Sequence, residues 1–319
     1  MNRVKVQRCY VHPERRARVL CRNCDRPICP DCKMDALVGY RCRECVQKMA
    51  DRIRQGKHPY ESRPRDNPIL TVSVIILINL TVCVLLRASG GEESPWVDRL
   101  GLIPRGRCDV SSDPSMYYSD LDRAACLAQS DAVWRPGVAS GAVWQLLTSV
   151  FSHVGWLHLG LNMAILWFCG PTLEVALGRT RWLALFLLSS LGGSVGILWL
   201  GRTDQTMMGA SGAGFGLLAG LIVFMRPYHE LRHTLFLIGL CLVDLLWQRD
   251  NVSWQGHLGG LLVGLVISLI LARRPPEAGQ VRSDGPAPAC QRSRRQWLAL
   301  SGVALVLAGL TLARCLMLA

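Results

Sequence analysis

Ser211 stands between glycines in Gly209-Ala210-Ser211-Gly212, at the head of an apolar run, and His257 stands in Gly256-His257-Leu258-Gly259-Gly260 at the head of another. A serine hydroxyl is a weak nucleophile until a neighbouring base takes its proton. An imidazole at the same depth can do that and then protonate the leaving amine. His158 and Asn162 lie four residues apart in a third apolar run, which puts them on one face of a helix. With the Ser211 backbone N–H they form a candidate oxyanion site, each donor contributing about 2.7–4 kcal/mol to a tetrahedral intermediate. Phe215, one turn beyond Ser211, is placed to stack on the His257 ring, and His153, a turn before His158, reads as a pin for the outer loop. Asp244 and Asp250 fall in a different apolar run and in a loop, so the residues describe a Ser–His dyad rather than a triad.

Taken singly, each of these residues has a plainer reading. A serine in a membrane helix commonly bonds back to its own backbone. The glycines around it, Gly209, Gly212, Gly216 and Gly220 with Gly256, Gly260 and Gly264, make small-residue faces for close helix packing. His158 and Asn162 alone could be interhelical glue. A histidine at matching depth to the serine tips the reading towards chemistry, because buried ionisable groups in a membrane are costly and mark function by default.

A second set of chemistry-bearing residues lies near the N-terminus, in the pairs Cys9-x-x-His12, Cys21-x-x-Cys24, Cys29-x-x-Cys32 and Cys42-x-x-Cys45. Two intervening residues let both side chains of a pair reach one tetrahedral zinc, and eight ligands suit two ions. Pairs one and three can share one ion and pairs two and four the other; pairing one with two and three with four is also open. So short a head makes a poor apolar core, and its stability is expected to come from the metal. It is basic, but only Tyr10 and Tyr40 interleave with the charge, which argues against a nucleic-acid surface. The head reads as a protein-interaction or regulatory module.

The elements that must carry these residues follow from hydropathy. The chain has 319 residues, is 50% hydrophobic and carries a formal charge of +13, with the positive charge concentrated before residue 68. Apolar runs of membrane-spanning length fall near 69–87, 154–173, 182–200, 210–226, 233–248, 254–272 and 297–318. The expected organisation is a cytoplasmic zinc-binding domain over 1–48, a polar linker over 49–68, a helical core over 69–272 with an external loop 88–143, and a basic loop with a seventh helix over 273–319. No short apolar core or cleavage site marks a signal peptide, so the head is expected to stay on the side where it is made.

Orientation follows from arginine placement. Arg179 and Arg181, then Arg226 and Arg232, then Arg273, Arg274, Arg282, Arg292, Arg294 and Arg295 occupy every second connection, on the side of the basic head. The connection 88–143 is rich in acids and belongs outside, with the C-terminus. Helices two, four and six then all begin at the outer face, which brings His158, Asn162, Ser211 and His257 to one level. The outer connection is too long for a turn and is expected to fold over the bundle. Its two cysteines, Cys108 and Cys126, could pair in an oxidising exterior, closing a loop worth about 3 kcal/mol.

Together these residues resemble the rhomboid family of intramembrane serine proteases. Gly-Ala-Ser211-Gly-x-x-Phe-Gly looks like its nucleophile motif, His158-x-x-x-Asn162 like its oxyanion pair, and His257 with Gly260 and Gly264 like its base helix. Trp144-Gln-Leu-Leu-Thr-Ser-Val-Phe-Ser-His153 and Gly170-Pro-Thr-Leu-Glu174…Gly178-Arg-Thr-Arg181 extend the likeness. The resemblance implies an all-α polytopic fold, a six-helix core plus a seventh C-terminal helix. It also implies a dyad reached from outside through a water-filled cavity, which cleaves single membrane helices near that surface without a catalytic cofactor. The head resembles B-box-like, cross-braced fingers. One departure is Gln145, where many members carry an arginine after the tryptophan, which leaves open how the outer loop is anchored. The implied partners are transmembrane protein substrates, the lipid bilayer of a bacterial cell membrane and a protein partner for the zinc domain. Rival readings are a catalytically silent helix-binding chaperone and a zinc-dependent membrane adaptor. A transporter would want coupled carboxylates near the midplane, and only Asp244 and Glu174 come near.

Overall fold

A computed structural model describes residues 8–17, 19–21, 24, 26–35, 40–54, 68–119, 121–225, 239, 253–272 and 289–318. The expected fifth helix, the 273–288 loop and most of the 49–68 linker lie outside the described residues. The chain divides into a small N-terminal unit and a large helical one.

In the N-terminal unit, β1 (Val19–Leu20) pairs antiparallel with β2 (Pro27–Ile28), and β3 (Lys33–Asp35) with β4 (Tyr40–Cys42), which runs into α1 (Arg43–Arg54). Its buried cluster consists of Ile28 and five cysteines, Cys9, Cys21, Cys29, Cys32 and Cys42. An interior made almost wholly of thiols has little apolar area to bury, in keeping with a metal-held fold.

The large unit opens with α2 (Pro68–Ala88), followed outside the bundle by α3 (Pro95–Leu100), β5 (Gly106–Val110), β6 (Asp113–Tyr118), α4 (Arg123–Leu127), β7 (Ala132–Pro136) and α5 (Gln145–Thr148). The bundle resumes with α6 (Trp156–Leu177), α7 (Arg179–Leu200), α8 (Ser211–Met225), α9 (Trp254–Ala272) and α10 (Ala289–Leu318). Among the described residues, five helices are long and apolar enough to cross a membrane, and Ser211–Phe224 is a shorter apolar one. Apart from α10, the bundle helices agree with the runs read from hydropathy to within about four residues, while α10 begins at Ala289, well ahead of the run expected from 297. An α-helix suits lipid because it satisfies its own backbone polar groups.

Helix α7 is the hub, packing against α6, α9 and α10, with Trp182 and Phe186 fully buried in its N-terminal half. Where α8 crosses α9, a Cβ on Gly260 would run into the Gly212 carbonyl, and one on Gly264 into the Gly216 backbone. The backbones therefore touch, as small residues permit. The C-terminal helix is pinned at both ends. Gln296 Nε2 donates to the Leu271 carbonyl (3.1 Å), while Arg314 Nε donates to the Leu198 carbonyl (2.9 Å) and its guanidinium lies over Trp199. Both acceptors are terminal carbonyls that the preceding helices leave unpaired. Glu174 is likewise structural, accepting from Thr71 Oγ1 (2.8 Å) and Arg179 Nε (3.4 Å).

The outer connection does fold, but as more than a loop. Its strands form an antiparallel sheet in the order β6-β5-β7, and Cys108 on β5 is disulfide-bonded to Cys126 on α4. Hydropathy did not announce the sheet, because its strands are short and carry charges on both faces. Gln145 anchors this connection in place of an arginine. Its fully buried amide accepts from the Ile103 N–H (3.1 Å) and donates to the Asp98 (2.9 Å) and Pro136 (3.1 Å) carbonyls. Trp144 Nε1 donates to the Arg99 carbonyl (2.9 Å) and Thr148 Oγ1 to that of Leu100 (2.7 Å), so α5 clamps the end of α3.

Candidate active site

Ser211 is the first residue of α8 and half-buried. It lines a small cavity with Ser149, His158, Ser190, Ser194, Met207, Ser253 and Gly256. The cavity, about 30 Å³, has room for water, since one molecule needs roughly 10–15 Å³. Gly193 on α7 brings its Cα close to Gly212 and to the Gly256 carbonyl, which places the starts of α8 and α9 at one level. His257 follows Gly256. Its ring stacks on Phe215 with centroids 4.3 Å apart and planes 14° from parallel, as the spacing led us to expect. It is 6% exposed, and its Nε2 makes no hydrogen bond among the described residues. A buried, ring-clamped imidazole with one free nitrogen is a group poised to accept a proton.

The approach to Ser211 is built from Gly209, which adopts a φ of 130° that favours glycine. A side chain there would also collide with the His158 ring, whose Cε1 and Nε2 lie 2.7 and 2.8 Å from the position a Cβ would take. Gly209 N donates to the Ser149 carbonyl (2.9 Å), and Ala210 N donates to His153 Nε2 (3.3 Å). His153 therefore pins the segment leading to Ser211 rather than the outer connection. An acceptor Nε2 places its proton on Nδ1. Burial, aided by the charge His158 would carry, pushes the His153 pKa down to about 3 and keeps the ring a neutral acceptor. Asn162 is buried behind His158 and does not line the cavity. Its Nδ2 donates to the His158 carbonyl (2.9 Å), and its Oδ1 has no partner among the described residues.

Sequence reasoning missed the serines of the cavity wall. Ser190 and Ser194 donate to the Phe186 (2.8 Å) and Leu146 (2.7 Å) carbonyls, and Ser253 accepts from Gly256 N (3.1 Å). The four-residue spacing of Ser190 and Ser194 was the only available signal, and such serines are ordinary in membrane helices.

In the N-terminal unit the eight ligand residues fall into two groups, Cys9, His12, Cys29 and Cys32 in one and Cys21, Cys24, Cys42 and Cys45 in the other. Pairs one and three thus converge, as do two and four, which is the cross-braced alternative. Within each group the ligand atoms lie within 4.8 Å of one another. Two sulfurs also accept backbone N–H groups, Cys21 Sγ from Cys42 N (3.2 Å) and Cys42 Sγ from Cys45 N (3.4 Å), as suits thiolates. The donor sets fit a tetrahedral metal of the zinc type.

Comparison with known proteins finds relatives for both parts of the chain. The chain is 32% identical over 160 residues to YdcA of Bacillus subtilis (strain 168), whose name places it among rhomboid proteases, and the match covers 80% of that protein and 46% of this chain. The chain belongs to the rhomboid family of intramembrane serine proteases. The rhomboid domain itself matches residues 140–274, and a B-box zinc finger matches residues 4–37. RHOMBOID-like protein 5 of Arabidopsis thaliana is 34% identical over 193 residues, 53% of this chain and 62% of that protein. Rhomboid protease GluP of Bacillus subtilis is 30% identical over 150 residues, 44% of this chain and 28% of that protein. This rhomboid therefore spans most of one relative and a smaller share of the others.

Proposed function

We propose that this rhomboid is an endopeptidase that cleaves transmembrane-helix substrates near the outer membrane face, with Ser211 as nucleophile and His257 as general base. The observation that supports the proposal is that Ser211, in a water-sized cavity, begins a helix whose backbone meets that of the helix carrying the Phe215-clamped imidazole of His257. Ser211 Oγ attacks the scissile carbonyl as its proton passes to His257. The negative oxygen faces the Ser211 N–H and His158, and Asn162 joins them by exchanging its bond to the His158 carbonyl. Collapse expels the amine, which takes the proton from His257, and water then hydrolyses the acyl-enzyme by the same route. Catalytic hydrogen bonds are often long until substrate closes them, so an unengaged His257 Nε2 accords with this cycle.

The same proposal assigns the N-terminus to the cytoplasm and the C-terminus to the exterior of a bacterial cell membrane. Basic connections on the head's side support this, and so does the Cys108–Cys126 disulfide, which suits an oxidising exterior. The head, over 1–48, binds two structural zinc ions and a protein partner, and 49–68 links it to the protease core at 69–272. Residues 273–319 add a basic loop and a seventh helix.

The test is cleavage of a single-span substrate in liposomes by wild type, Ser211→Ala and His257→Ala. Wild type should cut and both variants should lose roughly 10⁴-fold or more in kcat. A Ser211→Ala protein that still cuts overturns the nucleophile. A folded wild type that binds membrane helices but cleaves none favours the silent-chaperone reading.

A further inference from the structure

The segment 203–210, which delivers Ser211 to the cavity, is held along its first half by the outer connection. Leu102 and Met207 exchange two backbone hydrogen bonds (2.8 and 2.9 Å), and Arg105 N donates to the Thr203 carbonyl (2.8 Å). Gly101 lies so close that a Cβ there would come within 2.5 Å of the Thr206 methyl and 3.2 Å of Met208 Cε. Between these contacts, the Thr206 hydroxyl donates to Asp98 Oδ1 (2.8 Å) and accepts from Arg107 Nη1 (2.9 Å). Arg107 also binds Asp98 (2.9 Å) and Asp109 (2.6 Å), and Asp109 binds Arg135 (3.0 Å). The side chains of Asp98, Arg107 and Asp109 are 12%, 15% and 5% exposed. Cys108, between Arg107 and Asp109, carries the disulfide that ties β5 to α4.

The backbone bridge already joins the two segments, so attachment does not account for the charges. Buried ion pairs add little net stability, because desolvation offsets their attraction, and their best-attested use is to fix a register. Here the cluster converges on one hydroxyl, five residues before Ser211. We infer that the Asp98–Thr206–Arg107 clamp is a positioning device, by which the outer sheet sets the register of the 206–211 segment and hence the place of the Ser211 hydroxyl. The inference rests on the reading of Ser211 as nucleophile. Thr206 touches no reacting atom and acts through Met207 to Ala210. In the second half of the segment, Gly209 and Ala210 are held by Ser149 and His153, so Thr206 and Ala210 are the two fixed ends of a short stretch, and a slip at the first end strains the register of the second, next to Ser211.

The test uses the full-length protein in liposomes, with Thr206→Val, which keeps the shape and removes the hydroxyl, and Thr206→Ser, which keeps the hydroxyl. Three quantities are read: kcat and KM on a single-span substrate, the rate of fluorophosphonate labelling mapped to Ser211, and the thermal midpoint. Small misplacements of reacting groups can cost up to about 10²-fold. Thr206→Val is therefore expected to lower kcat and the labelling rate by about tenfold, with KM within about twofold. Thr206→Ser should recover most of both, with the midpoint unchanged. Wild-type cutting and labelling by Thr206→Val overturns the inference. So does a loss that Thr206→Ser shares, or one that follows a lowered midpoint. Ser211→Ala is the control: if it still cuts, the nucleophile reading fails, whereas failure of the clamp leaves that control inert and Thr206→Val active.

Discussion

The head and the outer sheet are both short β-structures poor in core, and they are stapled in opposite ways. The head buries Ile28 among five cysteines and gathers eight ligand residues into two clusters. The outer sheet has two cysteines, joined covalently, and takes its apolar support from the bundle, where Leu102 and Val138 pack on Leu198. Spacing explains part of the difference. Two intervening residues bend a chain around one ion, while lone cysteines on separate elements can meet only each other. The contrast is one of means: the head has two metal-ligand clusters, and the sheet a crosslink and the bundle it docks against.

The largest effect expected to test that contrast is removal of metal. Structural zinc contributes about 10–16 kcal/mol in small zinc modules, so a strong chelator should unfold the head while leaving the rhomboid bundle folded. Limited proteolysis of the chelated protein should cut within residues 8–54 and spare the helices from α6 onward. A chelated head that stays resistant would show that metal is not its staple.

Next in size is the crosslink. Replacing both Cys108 and Cys126 by Ser should cost the outer sheet about 3 kcal/mol without changing the zinc content. Hydrogen exchange at β5 and β6 should accelerate, with exchange in α7 and α9 unaltered. Unchanged exchange in the sheet would mean that docking, not the disulfide, holds it.

The smallest of the three probes that docking. Gln145→Leu removes three hydrogen bonds and leaves the Ile103 N–H buried without its acceptor, at a cost of about 2 kcal/mol. A lowered thermal midpoint and faster exchange at residues 98–103 would confirm the anchor. A neutral result would shift the weight of docking onto Trp144 and Thr148.

Much of the candidate site is legible in the sequence alone. The apolar runs and the helical spacings of His158 to Asn162 and Ser211 to Phe215 are local patterns, and a helix converts such spacing into a shared face wherever it packs. The zinc pairs are equally local, since each needs only its own turn. Which pairs converge is a matter of tertiary path, and both arrangements were open until Cys9 and His12 were found beside Cys29 and Cys32. The outer sheet was hidden because its short polar strands carry no alternation strong enough to read.

By itself, then, the sequence determined the spans, the identity of the serine and histidine candidates, and the metal-ligand set, because each depends on residue type and near-neighbour spacing. Only the tertiary structure decided the cavity beside Ser211, Gln145 as the anchor of the outer connection, and the meeting of Arg107 with Thr206. That last pair is 99 residues apart in the chain. No periodicity links such positions; the packing of helices around them does.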